Sequence, residues 1–140
     1  MKKLISKPQL FFLGIIPIIF IFGFINKEQS INLEYFGGVF SINFWSVSLF
    51  SCVFFLLISF NYMALNWTNK KLKNTLTILH IITQTLSFAV FYYYKVIYYG
   101  VQNEQYNQIN IFLILSLLLF VLATMIHLIN FFASLISKSK

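Results

Sequence analysis

The chain has 140 residues, of which 59% are hydrophobic and only 9% are charged, and its mean hydropathy is +0.82. A soluble domain needs about a quarter of its residues charged to cover its surface, so these proportions exclude a water-soluble globular protein and predict a membrane protein. The ten basic residues are all lysines in short, widely spaced groups. Because no arginine is available to bind phosphate through two parallel hydrogen bonds, nucleic acid is not an expected partner.

Four apolar stretches are each long enough to cross a bilayer as a helix. We predict spans at about residues 9–25, 42–65, 74–98 and 109–136, which form a single transmembrane domain, an all-α bundle of four helices. The first stretch follows a lysine-containing start as a signal peptide would. Its apolar core of about 17 residues is long for a signal, and no small-x-small cleavage pattern follows it. We therefore expect a true span, kinked near Pro17.

The lysines predict the orientation of these spans, because positive residues beside span ends are retained on the cytoplasmic side. Lys27 and Lys95 fall in the first and third connections together with the three glutamates, Glu28, Glu34 and Glu104. The other eight lysines fall at the two termini and in the second connection; they are Lys2, Lys3, Lys7, Lys70, Lys71, Lys73, Lys138 and Lys140. We expect a multi-pass protein of the bacterial inner membrane with both termini in the cytoplasm.

The last three spans each carry one stripe of small or polar side chains, which in lipid indicates a surface that faces another helix. The stripes are Ser41, Ser48, Cys52 and Ser59 in the second span, Thr77, His80, Thr83, Gln84 and Ser87 in the third, and Ser116, Ala123, Thr124, His127, Asn130 and Ser134 in the fourth. We predict interhelical packing for Ser48, Cys52, Ser59, Gln84, Ser87, Thr124 and Asn130. Cys52 is the only cysteine, so we expect a packing role and no intrachain disulfide.

The two histidines, His80 and His127, permit an alternative interpretation. Each lies on the polar stripe of its span, in the half predicted to be nearer the cytoplasm, so the two imidazoles could face each other. Facing imidazoles are the axial ligands of a b-type haem, and the lysines of the second connection could pair with its propionates. The competing interpretation is a hydrogen-bonded structural pair. A proton relay has less support, because no span contains Asp or Glu.

Four short motifs occur in a characteristic order: INLEYFGGVFSINF at 31–44, FNY at 60–62, LH at 79–80 and YNQIN at 106–110. The first can be aligned with the pattern N-[IV]-H-D-T-Y-[FY]-V-[VI]-[AS]-H-F-H, which opens a helix. This order resembles the last three spans of subunit I of haem-copper (cytochrome c) oxidases, and small four-span proteins look like detached versions of that region. Where the family has histidines that serve the haem and its surroundings, this chain has Glu34, Ile42 and Phe44. The resemblance therefore implies a non-catalytic relative in which His80 is a packing residue.

These observations predict a small integral membrane protein that is not an enzyme. The sequence has no Gly-rich phosphate loop, cysteine pair, H-E-x-x-H motif or Ser-His-acid set. We predict a structural, accessory or assembly-type subunit without a cofactor, whose partners are the lipid bilayer and either another membrane protein or a second copy. The first alternative is a haem-binding electron carrier ligated by His80 and His127. The second is a small transporter or channel, which Pro17 and the polar stripes favour, although the two halves show no internal symmetry.

Overall fold

The computed structural model describes residues 7–35, 38–100 and 106–137, and it describes side chains for 7–31, 38, 41–93 and 111–137. The helices are α1 (Pro8–Ile25), α2 (Phe44–Trp67), α3 (Asn74–Gly100) and α4 (Tyr106–Ile136). A β-hairpin of β1 (Ser30–Tyr35) and β2 (Gly38–Asn43) connects α1 to α2. Within the described part of the chain, all four helices are long and apolar enough to cross a membrane. The predicted all-α class with four spans is confirmed, and the chain is a multi-pass membrane protein.

The β-hairpin alters the predicted start of the second span. β1 and β2 pair antiparallel, with Ser30 opposite Asn43 and Asn32 opposite Ser41. Ser41 is therefore an exposed strand residue, and its predicted place at the start of the helical stripe is wrong. The helix begins only at Phe44, because Asn43 has an extended backbone and its side-chain oxygen accepts a hydrogen bond from the Trp45 N–H at 2.8 Å. This is the usual geometry of a helix N-cap.

Residues 1–68 and 69–140 form two compact units, which are described separately. In the first, α1 and α2 form a helical hairpin whose connection is the β-hairpin. In the second, α3 and α4 form another helical hairpin. Pro8 occupies the first turn of α1, where its missing N–H costs no hydrogen bond, whereas Pro17 lies inside the helix.

The two units have apolar outer surfaces and partly polar interiors. Ile18, Phe50 and Leu118 expose 67%, 78% and 62% of their surface, whereas His80 and Asn130 are fully buried. A water-soluble protein shows the opposite distribution, because burial of apolar side chains drives its folding. In hydrocarbon, the polar side chains must find partners inside the protein, and apolar side chains can face the lipid without cost. The apolar helices accordingly contact the bilayer.

Candidate functional site

The α1–α2 interface consists of residues that recur every three or four positions on both helices. Its members are Gln9, Phe12, Ile16 and Gly23 on α1, and Ser48, Cys52, Phe55, Ser59 and Tyr62 on α2. Ile19 of α1 is buried and follows the same spacing. Near one end the Ser59 hydroxyl donates to the Gln9 carbonyl oxygen at 3.1 Å, and midway the Cys52 thiol donates to the Ile16 carbonyl oxygen at 3.7 Å. Residue numbers increase along α1 while the numbers of the residues they contact on α2 decrease, so the two helices are antiparallel. The three- and four-residue spacing is that of a coiled coil.

Gly23 lies at a close approach of α1 to α2. A Cβ atom at this position would overlap Cβ and Oγ of Ser48. The Ser48 hydroxyl donates to the carbonyl oxygen of Phe44 in its own helix at 3.0 Å, so Ser48 contributes to this crossing through its small size. All three residues that we predicted to pack along the second span, Ser48, Cys52 and Ser59, lie on this interface.

Three aromatic rings fill the part of the α1–α2 interface near the start of α1. The Phe12 ring is stacked with Phe55 at 5.7 Å between ring centres and with Tyr62 at 5.9 Å. All three side chains are buried. We did not single out these residues from the sequence, because the high phenylalanine content concealed them. Their three- and four-residue spacing relative to Ser59 and Cys52 was the signal that could have identified them.

The α3–α4 interface has the same spacing but is mostly polar. Its members are Thr77, His80, Gln84 and Ser87 on α3, and Ser116, Ala123, His127, Asn130 and Ser134 on α4; all are buried. The Asn130 amide donates to the Thr77 hydroxyl oxygen at 2.9 Å, and the Ser87 hydroxyl donates to the Ser116 carbonyl oxygen at 2.8 Å. These contacts join the two predicted stripes and make α3 and α4 antiparallel.

The predicted packing residues differ in what they contact. Gln84 is 1% exposed, and among the described residues neither its amide oxygen nor its amide nitrogen has a hydrogen-bond partner. By the antiparallel pairing it lies opposite Ala123, a residue small enough to admit its longer side chain. Thr83 and Thr124 donate their hydroxyls within their own helices, to Leu79 and Phe120. Ser87 and Asn130 therefore join α3 to α4 by hydrogen bonds, whereas the Thr124 hydroxyl bonds within α4.

The two histidines are brought together, with their ring centres 4.8 Å apart and their planes tilted by 34°. Directly contacting aromatic rings lie about 4.5–7 Å apart, so this is direct contact near the short end of the range. A haem ligated by both residues would place its iron and flat macrocycle between the rings. Because the two rings touch, a haem could enter between them only if the histidines moved apart. The histidines instead pack as one layer of the α3–α4 interface.

Loss of the Thr77 hydroxyl should weaken the α3–α4 interface measurably. We expect Thr77→Val to lower the free energy of unfolding by about 1–2 kcal/mol, because it removes the acceptor of the buried Asn130 amide. Thr85→Val is the matched control, since the exposed Thr85 donates only within its helix, to Ile81 at 2.7 Å. Unfolding in mixed detergent micelles, followed by circular dichroism, gives both values. Equal losses in the two variants would show that the interhelical hydrogen bond contributes nothing.

The described residues contain no group of three or more His, Cys, Asp or Glu side chains that could hold a metal ion. The α1–α2 interface combines aromatic rings with small side chains, and the α3–α4 interface consists mostly of hydrogen-bonding side chains. Comparison of the chain with protein-family models, curated proteins and solved structures gives no match, so its function has to be argued from this geometry.

Proposed function

We propose that the protein is a non-catalytic accessory subunit of the membrane, which acts through contacts that its outer helix faces make inside the bilayer. The observation that carries this proposal is the separation of polar and apolar side chains in both units. The buried polar side chains of the helices lie along the hairpin interfaces, whereas the outward faces present large apolar side chains.

An enzyme would need polar side chains beside its substrate. A transporter or channel would need them along its path through the membrane. Among the helix residues whose side chains the structure describes, 8–25, 44–67, 74–93 and 111–136, none is charged. The hydrogen bonds between helices join α1 to α2 and α3 to α4. The outward face of α4 is broad and apolar; it includes Leu117, Leu118, Val121, Leu122, Met125, Ile129 and Phe132, all exposed. Such a face can contact lipid or an apolar helix of a neighbouring protein.

The charged residues support the proposed orientation, with both termini in the cytoplasm of a bacterial inner membrane. Three lysines precede α3: Lys70, Lys71 and Lys73. Lys27 follows the C-terminal end of α1, and its Nζ lies 4.0 Å from Oε1 of Glu28. An excess of lysines near span ends is typical of the cytoplasmic side. The resemblance to oxidase subunit I also favours a non-catalytic role, because Glu34, Ile42 and Phe44 cannot replace the family's histidine ligands.

Photo-crosslinking inside native membranes tests the accessory role. A photoreactive amino acid at Leu122, which exposes 52% of its surface on α4, should form a discrete adduct with another membrane protein or with a second copy. The same variant irradiated after solubilisation in a strong detergent is the control and should lose the adduct. If Leu122, Phe50 and Ile18 all yield lipid adducts alone and the chain purifies as a monomer without a companion, the proposal is wrong.

A further inference from the structure

The connection between α2 and α3 is attached to the end of α4 by a lysine. The Lys70 ammonium group donates to the carbonyl oxygen of Ser137, just beyond the last residue of α4, at 2.8 Å. Carbonyl groups at a helix C-terminus carry a partial negative charge of about half an electron. Lys70 offsets that charge, so the end of α4 does not repel an anion that approaches the connection.

Two further lysines of this connection are exposed. Lys71 and Lys73 stand immediately before Asn74, the first residue of α3, and both side chains face the surroundings. The first turn of α3 adds partial positive charge, because the amide groups at a helix N-terminus have no intrahelical acceptors. The positive charges of Lys71 and Lys73 and the partial positive charge at the start of α3 thus lie within a few residues of one another.

No carboxylate neutralises this cluster among the described side chains of residues 69–137, which include neither Asp nor Glu. Glu104, the one acid that the sequence has in this unit, lies outside the described residues. Lys27 provides the contrast, since it has Glu28 beside it. The charge of Lys71 and Lys73 is therefore available to an external anion.

The position of the cluster along the helices indicates which anion it meets. The membrane-length apolar segment of α3 begins at Asn74 and that of α4 ends at Ile136, so Lys71 and Lys73 lie just outside the apolar segment of α3. We therefore expect them at the edge of the hydrocarbon. This is the depth of the lipid phosphate groups. We propose that Lys71 and Lys73, together with the first turn of α3, bind the phosphate group of an anionic phospholipid, and that Lys70 favours this binding by neutralising the end of α4.

Phosphatidylglycerol added to the purified full chain in neutral detergent tests the proposal, with binding followed by native mass spectrometry. We expect the protein to retain phosphatidylglycerol in preference to phosphatidylcholine. In Lys71→Gln/Lys73→Gln the affinity should fall by about 25-fold, that is about fivefold for each lysine at a membrane surface. Lys71→Arg/Lys73→Arg keeps both charges and should retain most of the binding.

Lys27→Gln is the matched control, because it removes an exposed lysine that has an acidic neighbour and lies outside the cluster. Its affinity for phosphatidylglycerol should stay within about twofold of the unchanged chain. Three results would each overturn the proposal: no preference for phosphatidylglycerol, an equal loss in Lys27→Gln and the double glutamine variant, or competition by inorganic phosphate at the lipid's concentration. The last would indicate a site for free phosphate. Circular dichroism of each variant in neutral detergent verifies that it is folded.

Discussion

Gly23→Ala is expected to lower the free energy of unfolding by about 1–3 kcal/mol, the usual cost of overpacking a well-packed interface. The added methyl group would overlap Cβ and Oγ of Ser48 and would lie 3.3 Å from the Trp45 ring. Cβ of Ser48 is fixed to the backbone of α2, so it cannot rotate away. The two helices must move apart, and the contacts that depend on their close approach weaken. Unfolding in mixed detergent micelles, followed by circular dichroism, measures the loss.

Two further variants make this prediction specific to the crossing of α1 and α2. Gly14→Ala introduces the same methyl group in the same helix, where no atom other than those of its chain neighbours and of the nearby helix backbone lies within 4 Å of the added Cβ. It should leave stability unchanged or raise it by up to about 1 kcal/mol through helix propensity. Ser48→Gly, combined with Gly23→Ala, removes the overlap and should recover most of the loss. If Gly23→Ala is as stable as Gly14→Ala, the helices do not approach as closely as the structure shows.

Phe12→Ala is expected to lower the free energy of unfolding by about 2–3 kcal/mol. Phe12 is fully buried and stacked with both Phe55 and Tyr62, so its removal leaves a cavity between the helices. In a soluble protein the transfer of the side chain from water would add to this cost. In a bilayer the separated helices still have lipid around Phe12, so the lost packing is the main contribution.

Phe50→Ala is the matched control, because Phe50 lies on α2 and exposes 78% of its surface. Its loss should change the free energy of unfolding by less than about 0.5 kcal/mol. Phe12→Leu, which fills part of the cavity, should fall between Phe12→Ala and the unchanged protein. Equal losses in Phe12→Ala and Phe50→Ala would mean that apolar content, and not packing between α1 and α2, determines stability.

The four helices were predictable because each long apolar run can be read from neighbouring residues alone. The β-hairpin was missed, although its first strand alternates apolar Ile31, Leu33 and Tyr35 with polar residues. The sequence predicts that the second span begins at 42, because Ile42 and the apolar residues after Phe44 form a nearly continuous run. Pairing with β1 holds 38–43 in an extended conformation, and this pairing connects residues up to 13 positions apart, from Ser30 to Asn43.

The candidate site was predictable as separate stripes and not as interfaces. Helical spacing placed His80, Gln84 and Ser87 on one face, and His127 and Asn130 on another. Spacing within a helix does not state which faces meet, and it could not establish that the two imidazoles touch. The face of α1 that packs against Ser48 and Cys52 could not be predicted for another reason. It is formed by apolar residues and Gly23, which do not stand out in an apolar helix.

The sequence alone determined that the protein lies in a bilayer, that it has four membrane-length helices and where its lysines fall along the chain. Hydropathy and charge can be read from neighbouring residues. The tertiary structure decided that α1 pairs with α2 across Gly23 and Ser48, and that α3 pairs with α4 across the histidines. Those pairings depend on the fit between side chains that are 25 to more than 50 positions apart, such as Gly23 with Ser48 and Thr77 with Asn130. Spacing within a helix shows which side chains share a face but not which faces meet, so only the folded chain reveals the pairing.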